Sequence, residues 1–274
     1  MFPLAVKKEN RRAAANRIES IPMKKFLHLT VFTLALLYAA ALTAADGALP
    51  PACVPSDNMG ADWWRERHEA NKERIARGNV DLLLIGDSIT HGWDTGGKPV
   101  LDYYYGDRNC VNMGFGGDQT GNVLWRLDDA PMDKIRPKAA MLLIGINNLW
   151  VACNQNPADV PLGTKMIVDK LERLYPDIKI LVLFTFVVGP EGEQPTRSRV
   201  AKSNALLLDL LRDDPQVIVK DINYIWLDEA NRVPAELMAD FVHPTELGYK
   251  RWAAAVEPEI SKILGDAPKA PMAE

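Results

Sequence analysis

Five short apolar runs along the chain predict five β-strands. Each run is rich in aliphatic or β-branched residues and is bounded by Gly, Pro or small polar residues, a pattern typical of strands buried on both faces of a parallel sheet. The runs lie at Asp81 to Gly86, Cys110 to Met113, Ala139 to Ile144, Ile178 to Phe186 and Gln216 to Ile222.

Helical patterns separate these runs, so strand alternates with helix through most of the chain. They lie at Gln119 to Asp128, Val160 to Leu174, Ser198 to Leu211 and Thr245 to Leu264. Before the first strand, residues 62–77 have the charge density and length of a surface helix, which Gly78 ends. This alternation predicts an α/β fold with crossover helices on both faces of a doubly wound sheet. We expect a single-domain, three-layer α/β/α sandwich with a five-stranded parallel sheet.

The same patterns set the expected domain boundaries. Residues 79–265 contain all five strands and form the predicted domain, without an internal repeat or a second domain. Residues 46–78 are expected to be a proline-containing linker followed by an N-terminal helix. Residues 266–274 are rich in Pro and Ala, which predicts a flexible tail.

The first 45 residues have the pattern of a targeting segment. Met23-Lys24-Lys25 precedes an apolar stretch from Phe26 to Leu42, and Thr43-Ala44-Ala45 follows it. A basic region, an apolar core and small residues in this order predict a signal peptide cleaved near Ala45, and hence export to the periplasm or the extracellular space. An uncleaved membrane anchor is the alternative. Residues 1–22 are expected to be an upstream extension, with either Met1 or Met23 as the true start.

Composition and charge narrow the possible partners. The 274 residues are 47% hydrophobic and 25% charged, as in ordinary globular proteins. Residues 1–45 contain seven Lys and Arg and two Asp and Glu, so the exported chain keeps 25 basic against 34 acidic residues, a formal charge of −9. Such an acidic chain is not expected to bind nucleic acid or an anionic membrane surface.

The three cysteines, Cys53, Cys110 and Cys153, show no spacing of metal ligands, so no metal site is predicted. Whether Cys110 and Cys153 form a disulfide in an exported protein is left open.

Two segments that follow predicted strands carry candidate chemistry. Gly86-Asp-Ser-Ile-Thr90 places Ser88 at the carboxyl end of a strand, the edge at which open α/β sheets bind ligands. The alternative is that these residues only cap a helix. Asn112 to Thr120 is a glycine-rich turn that can present backbone N–H groups to an anionic oxygen. A phosphate loop is the alternative for this turn, but the last glycine of a dinucleotide motif and a Gly-Lys-Ser/Thr sequence are both lacking.

Two further segments follow later in the chain. Ile144-Gly-Ile-Asn-Asn148 places side-chain amides just beyond a strand, where Asn can donate to an oxyanion. In Asp240-Phe-Val-His-Pro244, Asp240 and His243 are three residues apart around a turn, so the carboxylate can hold the imidazole while its Nε2 faces the sheet edge. His91 lies three residues after Ser88 and is expected to border the same pocket.

Together and in this order, the four segments resemble the motif blocks of the SGNH, or GDSL, family of serine esterases. Residues 112–127, 135–137 and 144–148 are similar, more narrowly, to platelet-activating-factor acetylhydrolase catalytic subunits and their bacterial relatives. Two departures occur: Asn148 stands where many relatives have Asp, and Ser88 is followed by Ile rather than Leu.

The resemblance implies the flavodoxin-like fold of that family and a set of roles. Ser88 would be the nucleophile, His243 the general base and Asp240 its orienting carboxylate. The backbone N–H groups of Ser88 and Gly117 and the side chain of Asn147 would form the oxyanion hole. No metal or organic cofactor would be required.

These observations predict a secreted serine esterase that removes short acyl groups, chiefly acetyl, from carbohydrates. Asp87, His91 and Trp150 are predicted substrate contacts, and Trp93 with Trp150 could form a platform for a sugar ring. The enzymatic alternative is a lipid or lysophospholipid esterase. The alternatives from other functional classes are a non-catalytic glycan-binding protein and a flavin- or nucleotide-binding protein. A homodimer is possible, as among some relatives, and no stable membrane anchor is expected.

Overall fold

The computed structural model describes residues 48–191 and 194–274. The predicted signal peptide and both candidate start residues lie outside the described residues. From Leu49 to Glu274 the chain forms one compact unit. Within the described part, every helix is too short or too polar to cross a bilayer.

The structure confirms the predicted five-stranded parallel sheet. Its strands are β1 (Leu82–Gly86), β2 (Cys110–Gly114), β3 (Ala139–Leu143), β4 (Lys179–Leu183) and β5 (Val217–Lys220). The strands lie in the order β2-β1-β3-β4-β5 and all neighbours are parallel. The fourth strand is shorter than predicted, because the apolar run from Phe184 to Phe186 continues beyond the last pairing of β4 into the following loop.

Eight α-helices connect or flank these strands in the described chain. They are α1 (Asp62–Ala76), α2 (Ser88–His91), α3 (Lys98–Tyr105), α4 (Thr120–Asp129), α5 (Ile146–Leu149), α6 (Val160–Leu174), α7 (Pro195–Leu211) and α8 (Glu246–Leu264). The longer ones match the predicted helices to within a few residues. A helix was expected to begin at Ser88, and α2 lies there. The short helices α3 and α5 were not predicted, because each is too short to show a clear helical period.

Side chains alternate across the sheet and form two cores, which confirms the three-layer arrangement. On β1, Leu82 and Leu84 pack in one core with residues of α3 and α8, whereas Leu83 and Ile85 pack in the other with residues of α1, α4, α6 and α7. Every strand residue of β1 and β3 is buried, as expected for central strands of a parallel sheet covered on both faces. The fold therefore presents the carboxyl ends of β2, β1 and β3 side by side at one edge.

The C-terminal segment is held in place, in contrast to the flexible tail predicted for residues 266–274. Asp266 accepts hydrogen bonds from Arg108, and the backbone N–H of Lys269 donates to Glu257 at 2.7 Å. Glu257 also forms a buried, bidentate salt bridge with Arg108, whose two bonds are both 2.7 Å long. The composition of the tail suggested fraying, but the buried charges beneath it supply partners for its backbone.

The segment predicted to be a linker is also partly packed. Pro51–Cys53 forms a short 3₁₀ turn in which Ala52 and Cys53 are buried. The carbonyl oxygen of Ala52 accepts a hydrogen bond of 2.6 Å from the hydroxyl of Thr120, the first residue of α4. All three cysteines have free thiols. Cys110 and Cys153 therefore do not form a disulfide in this structure.

Candidate active site

Ser88 lies where β1 ends and α2 begins. Gly86 closes the strand at a point where a side chain cannot fit: a Cβ there would lie 2.2 Å from both the carbonyl oxygen of Leu143 and the hydroxyl of Thr90. Asp87 then caps the first turn, because its Oδ1 accepts a hydrogen bond of 2.9 Å from the backbone N–H of Ile89. The tight turn leaves the Ser88 side chain at the sheet edge.

The structure brings His243 and Asp240 to this serine from the other end of the chain. Ser88 Oγ lies 2.8 Å from His243 Nε2, and His243 Nδ1 lies 2.6 Å from Asp240 Oδ2. Phe241, between the two partners, has a φ of +61°, which makes the sharp turn that points both side chains the same way. Ser88, His243 and Asp240 thus form one continuous relay, as the sequence predicted.

Asp240 is arranged to stay ionised. Partial burial alone would raise its pKa, but the hydrogen bond from the His243 ring and those from the backbone N–H groups of His243 and Val242 outweigh it and hold the pKa below its usual value. An ionised carboxylate at Nδ1 fixes the imidazole tautomer that donates from Nδ1 and leaves Nε2 free to accept the Ser88 proton.

The three donors for which the sequence predicts an oxyanion hole lie just beyond three neighbouring strands, β1, β2 and β3. The backbone N–H groups of Ser88 and Gly117 have no acceptor in the described part of the chain. The side-chain amide of Asn147 uses one N–H to donate to the carbonyl oxygen of Asp118 at 2.9 Å, and an amide carries two. Gly117 has a φ of +76°, a conformation in which glycine is favoured.

A buried ion pair supports the loop that contains Gly117, and the sequence alone did not reveal it. Asp118 is 1% exposed and accepts hydrogen bonds from Arg126 at 2.8 Å and from the indole of Trp64 at 2.7 Å. The guanidinium of Arg126 also lies 4.1 Å from the ring centroid of Phe115. Since the carbonyl oxygen of Asp118 also receives the Asn147 bond, this pair fixes both the loop and the amide.

Asn148, the residue at which the motif departs from many relatives, is fully buried behind the site. Its Oδ1 accepts from the backbone N–H of Thr120 at 3.2 Å, and its Nδ2 donates to Gln155 Oε1 at 2.9 Å. Asn148 therefore joins α5 to the start of α4, and its side-chain hydrogen bonds are to residues outside the proposed oxyanion hole.

A cleft of about 280 Å³ opens beside Ser88 and His243. It is lined by Ser88, His91, Gly92, Thr95, Gly96, His243, Pro244 and Tyr249. His91 borders the cleft as predicted, and its pKa is lowered by burial and by the charge of Arg67. A larger groove of about 460 Å³ lies between α4 and α6, but it contains none of the predicted catalytic groups, so we assign the chemistry to the smaller cleft.

Three predicted substrate contacts are placed elsewhere by the structure. Asp87 is only 1% exposed and its side chain points into the protein, so its prediction as a substrate contact is wrong. Trp93 is fully buried among aromatic residues of the core. Trp150 packs against that same core and does not line the cleft. In the described chain no cluster of three or more His, Cys, Asp or Glu side chains could hold a metal ion.

The environment of Asp87 gives a prediction about stability and pH. Its Oδ2 is buried without a hydrogen-bond partner among the described residues, and burial, reinforced by the nearby charge of Asp118, raises the pKa of Asp87 to about 7. The folded protein keeps this proton up to neutral pH, while the unfolded chain releases it near pH 4. The contribution of Asp87 to stability is therefore present at acidic pH and is lost as the pH rises from about 4 to about 7.

Asp87→Asn should remove this dependence, because its amide oxygen can still accept the Ile89 bond and it carries no charge. Relative to the wild type, the variant should gain stability between pH 5 and pH 8, on the order of 1 kcal/mol or more. Urea unfolding at the two pH values measures the difference. An equal difference at both would contradict the assignment of a buried, protonated carboxyl.

Comparisons with known proteins show the family of the chain. A sequence model described as the GDSL-like Lipase/Acylhydrolase family matches residues 84–251. The chain is 29% identical over 231 residues to platelet-activating factor acetylhydrolase IB subunit alpha2 from Rattus norvegicus, an alignment that covers 82% of this chain and 96% of that protein.

Two solved structures show the similarity of fold. A GDSL-like lipase from Bacteroides thetaiotaomicron superposes with a TM-score of 0.58 at 16% identity, covering 72% of this chain and 97% of its own. An acetylxylan esterase from Geobacillus stearothermophilus superposes with a TM-score of 0.53 at 18% identity, covering 69% and 96%. At these identities the superpositions support the α/β fold and its topology.

Proposed function

The chain belongs to the GDSL-like lipase/acylhydrolase family, and from that premise we propose that it is an exported serine esterase that hydrolyses short acyl esters, chiefly acetyl esters, of carbohydrates. The observation that carries the proposal is the relay of Ser88, His243 and Asp240, with its contacts of 2.8 and 2.6 Å. Intact nucleophile, base and carboxylate in hydrogen-bonding geometry favour catalysis over a glycan-binding protein that has lost activity.

The proposed reaction has two steps. Ser88 Oγ attacks the ester carbonyl carbon while His243 Nε2 takes the hydroxyl proton, and the carbonyl oxygen becomes an oxyanion. His243 then gives the proton to the leaving alcohol oxygen as the carbon–oxygen bond breaks, which leaves an acyl group on Ser88. Water then attacks the acyl carbon as His243 takes one of its protons, and His243 returns that proton to Ser88 Oγ as the acyl–Oγ bond breaks, which releases the carboxylic acid and regenerates the serine.

The oxyanion is stabilised by donors that are in place before the reaction. The Ser88 and Gly117 N–H groups and the second N–H of Asn147 come from adjacent strand ends, and the Asp118–Arg126 pair holds the loop between them. Donors that need no reorganisation as charge develops account for a large part of the catalysis in acyl transfer.

The size of the cleft and the named relatives support a small acyl group. About 280 Å³ is near the lower limit of small-molecule pockets, and two backbone glycines, Gly92 and Gly96, lie in its wall. One similar protein is named an acetylhydrolase and another an acetylxylan esterase, so both names refer to removal of an acetyl group. An acidic chain with the signal-peptide pattern at 23–45 supports action outside the cytoplasm, on an acetylated carbohydrate.

The second candidate is a lipid esterase, favoured by the 29% identity to acetylhydrolases of platelet-activating factor. It would use the same relay and the same acetyl group. The two candidates differ in the alcohol that leaves, which is a sugar hydroxyl in the first and a glycerophospholipid hydroxyl in the second.

Hydrolysis of p-nitrophenyl acetate, butyrate and octanoate tests the proposal. We expect kcat/KM to be highest on acetate and to fall by about tenfold or more beyond roughly four acyl carbons, because a small cleft cannot bury a longer chain. The protein lacking residues 1–45 is the enzyme to assay, with Ser88→Ala as the blank. Equal or higher activity on octanoate would contradict the short-chain assignment and favour a lipid ester.

A further inference from the structure

Trp63 is an aromatic side chain that the structure leaves exposed beside the active site. It is 47% exposed, whereas its neighbour Trp64 is fully buried. Both residues are in the first turn of α1, and their side chains point to different faces of that helix. Trp64 packs inward and donates to Asp118, while nearly half of the Trp63 surface stays in solvent contact.

The position of Trp63 relates it to two parts of the site. Its ring stacks on the imidazole of His91, with centroids 6.2 Å apart and planes 18° from parallel, and His91 lines the cleft beside Ser88. On another side it approaches Gly116: a Cβ at that residue would lie 3.5 Å from Trp63 Cη2. Gly116 immediately precedes Gly117. The indole therefore lies between the edge of the cleft and the loop of the proposed oxyanion hole.

Contacts made by neighbouring residues of α1, including Arg67 one turn further along the same face, hold the helix and its indole in this position. Arg67 donates to the carbonyl oxygen of Gly114 at 2.8 Å and forms a salt bridge of 2.7 Å with Asp94, which follows the cleft residue Gly92. Together with the bond from Trp64 to Asp118, these contacts tie α1 to the loops that follow β1 and β2. Because these contacts already fix the position of the ring, less conformational entropy is lost when a ligand binds against it.

The surroundings of Trp63 indicate what kind of ligand fits it. Asp62 and Arg65, in the same helical turn, form an exposed salt bridge, and their side chains are 79% and 44% exposed. Trp63 is thus the exposed aromatic residue of a segment, 62–66, whose other exposed side chains, Asp62, Arg65 and Glu66, are charged. A lipid chain or a membrane needs a continuous apolar patch, whereas a sugar ring has one apolar C–H face and a polar rim.

We propose that Trp63 is a specificity-determining residue that stacks against the sugar ring of the substrate on the leaving-group side of the ester. The inference rests on the proposed esterase function, and it adds a carbohydrate subsite built from α1, outside the segment 84–251. The Trp93 and Trp150 platform considered from the sequence does not lie at the cleft, and Trp63 takes the role that was expected of it.

The test compares acetyl esters of two different alcohols, so that the acyl group is the same and only the leaving alcohol differs. Acetylated xylooligosaccharides provide a ring to stack, and ethyl acetate provides none. For Trp63→Ala we expect kcat/KM on the oligosaccharides to fall about tenfold or more, mainly through KM, and kcat/KM on ethyl acetate to stay within about twofold. Trp63→Phe should restore most of the loss, because it keeps an aromatic face. Tyr103→Ala, which removes a 41% exposed aromatic residue on α3, is the matched control and should have no such effect.

A binding measurement separates stacking from catalysis. Calorimetry with Ser88→Ala and the intact oligosaccharide should show binding that Ser88→Ala/Trp63→Ala weakens by a similar factor. An equal loss on both esters would overturn the subsite, because it would show that Trp63 acts only by supporting His91 and the loop. No loss on either ester, a loss confined to acetylated phospholipid, or a dimer that Trp63→Ala dissociates would each overturn it as well. If the wild type hydrolyses neither ester, the proposed function itself fails.

Discussion

Ser88→Ala is expected to hydrolyse p-nitrophenyl acetate at no more than about 10⁻⁴ of the wild-type rate, since removing the nucleophile of a serine hydrolase typically costs that much or more. The hydroxyl that would attack the ester lies 2.8 Å from His243 Nε2, and no other serine contacts this imidazole in the part of the chain that the structure describes. The substitution removes one oxygen from a partly buried position at the start of α2, so the variant should unfold at nearly the wild-type temperature.

Labelling with a fluorophosphonate provides a readout that does not depend on turnover. The wild type should gain one phosphonyl group per chain on the peptide that contains Ser88, and Ser88→Ala should gain none. Ser198→Ala changes an exposed serine on α7 and should keep full activity and full labelling. Residual activity above about 1% in Ser88→Ala, in a preparation free of wild-type protein, would exclude Ser88 as the nucleophile.

Asn147→Ala is expected to lower kcat by about 10²–10³ with a small change in KM, which is the typical effect of removing one donor from an oxyanion hole. The amide of Asn147 would donate to an oxygen that is negatively charged only in the transition state, so its loss should affect the chemical step more than substrate binding. The bond from Asn147 to the carbonyl oxygen of Asp118 is lost as well, which can shift the loop.

Two further variants separate these contributions. Asn147→Asp keeps the size of the side chain but replaces the donor with an acceptor of like charge, so it should be at least as inactive as Asn147→Ala. Asn58→Ala, at an exposed position, is the matched control and should retain full activity. An Asn147→Ala enzyme with unchanged kcat would show that the hole consists of backbone donors alone.

Most of the fold and of the candidate site could be predicted because both depend on local signals. Buried parallel strands are short apolar runs, and their ends are marked by Gly and small polar residues, so Ser88, Asn147 and His243 could be placed at one edge of a sheet before any contact was known. Asp240 could be paired with His243 because the two lie within one turn of chain.

The remaining features depend on contacts between distant parts of the chain. The charged composition of α1 indicated a surface helix, yet His68 and Trp64 on that helix are buried against Phe115 and Trp125. Nothing in a Trp-Trp pair shows which ring faces inward. The salt bridge between Asp118 and Arg126 is likewise visible only after α4 is placed against β1, because an isolated charged residue in a sequence is normally exposed.

The hydrogen bonds between α1 and the loops after β1 and β2 limit how far the chain can be shortened without disturbing the site. Residues 84–251 contain Ser88, His243, Asp240 and the proposed oxyanion donors. The indole of Trp64, which donates to Asp118, and the guanidinium of Arg67, which donates to the carbonyl oxygen of Gly114, both come from upstream. The buried partner of Arg108, Glu257, comes from downstream. A fragment limited to residues 84–251 would thus contain the candidate catalytic residues without the hydrogen bonds and the salt bridge that position their loops. Any graft or fusion of this protein needs to begin before Asp62 and to continue through Glu274.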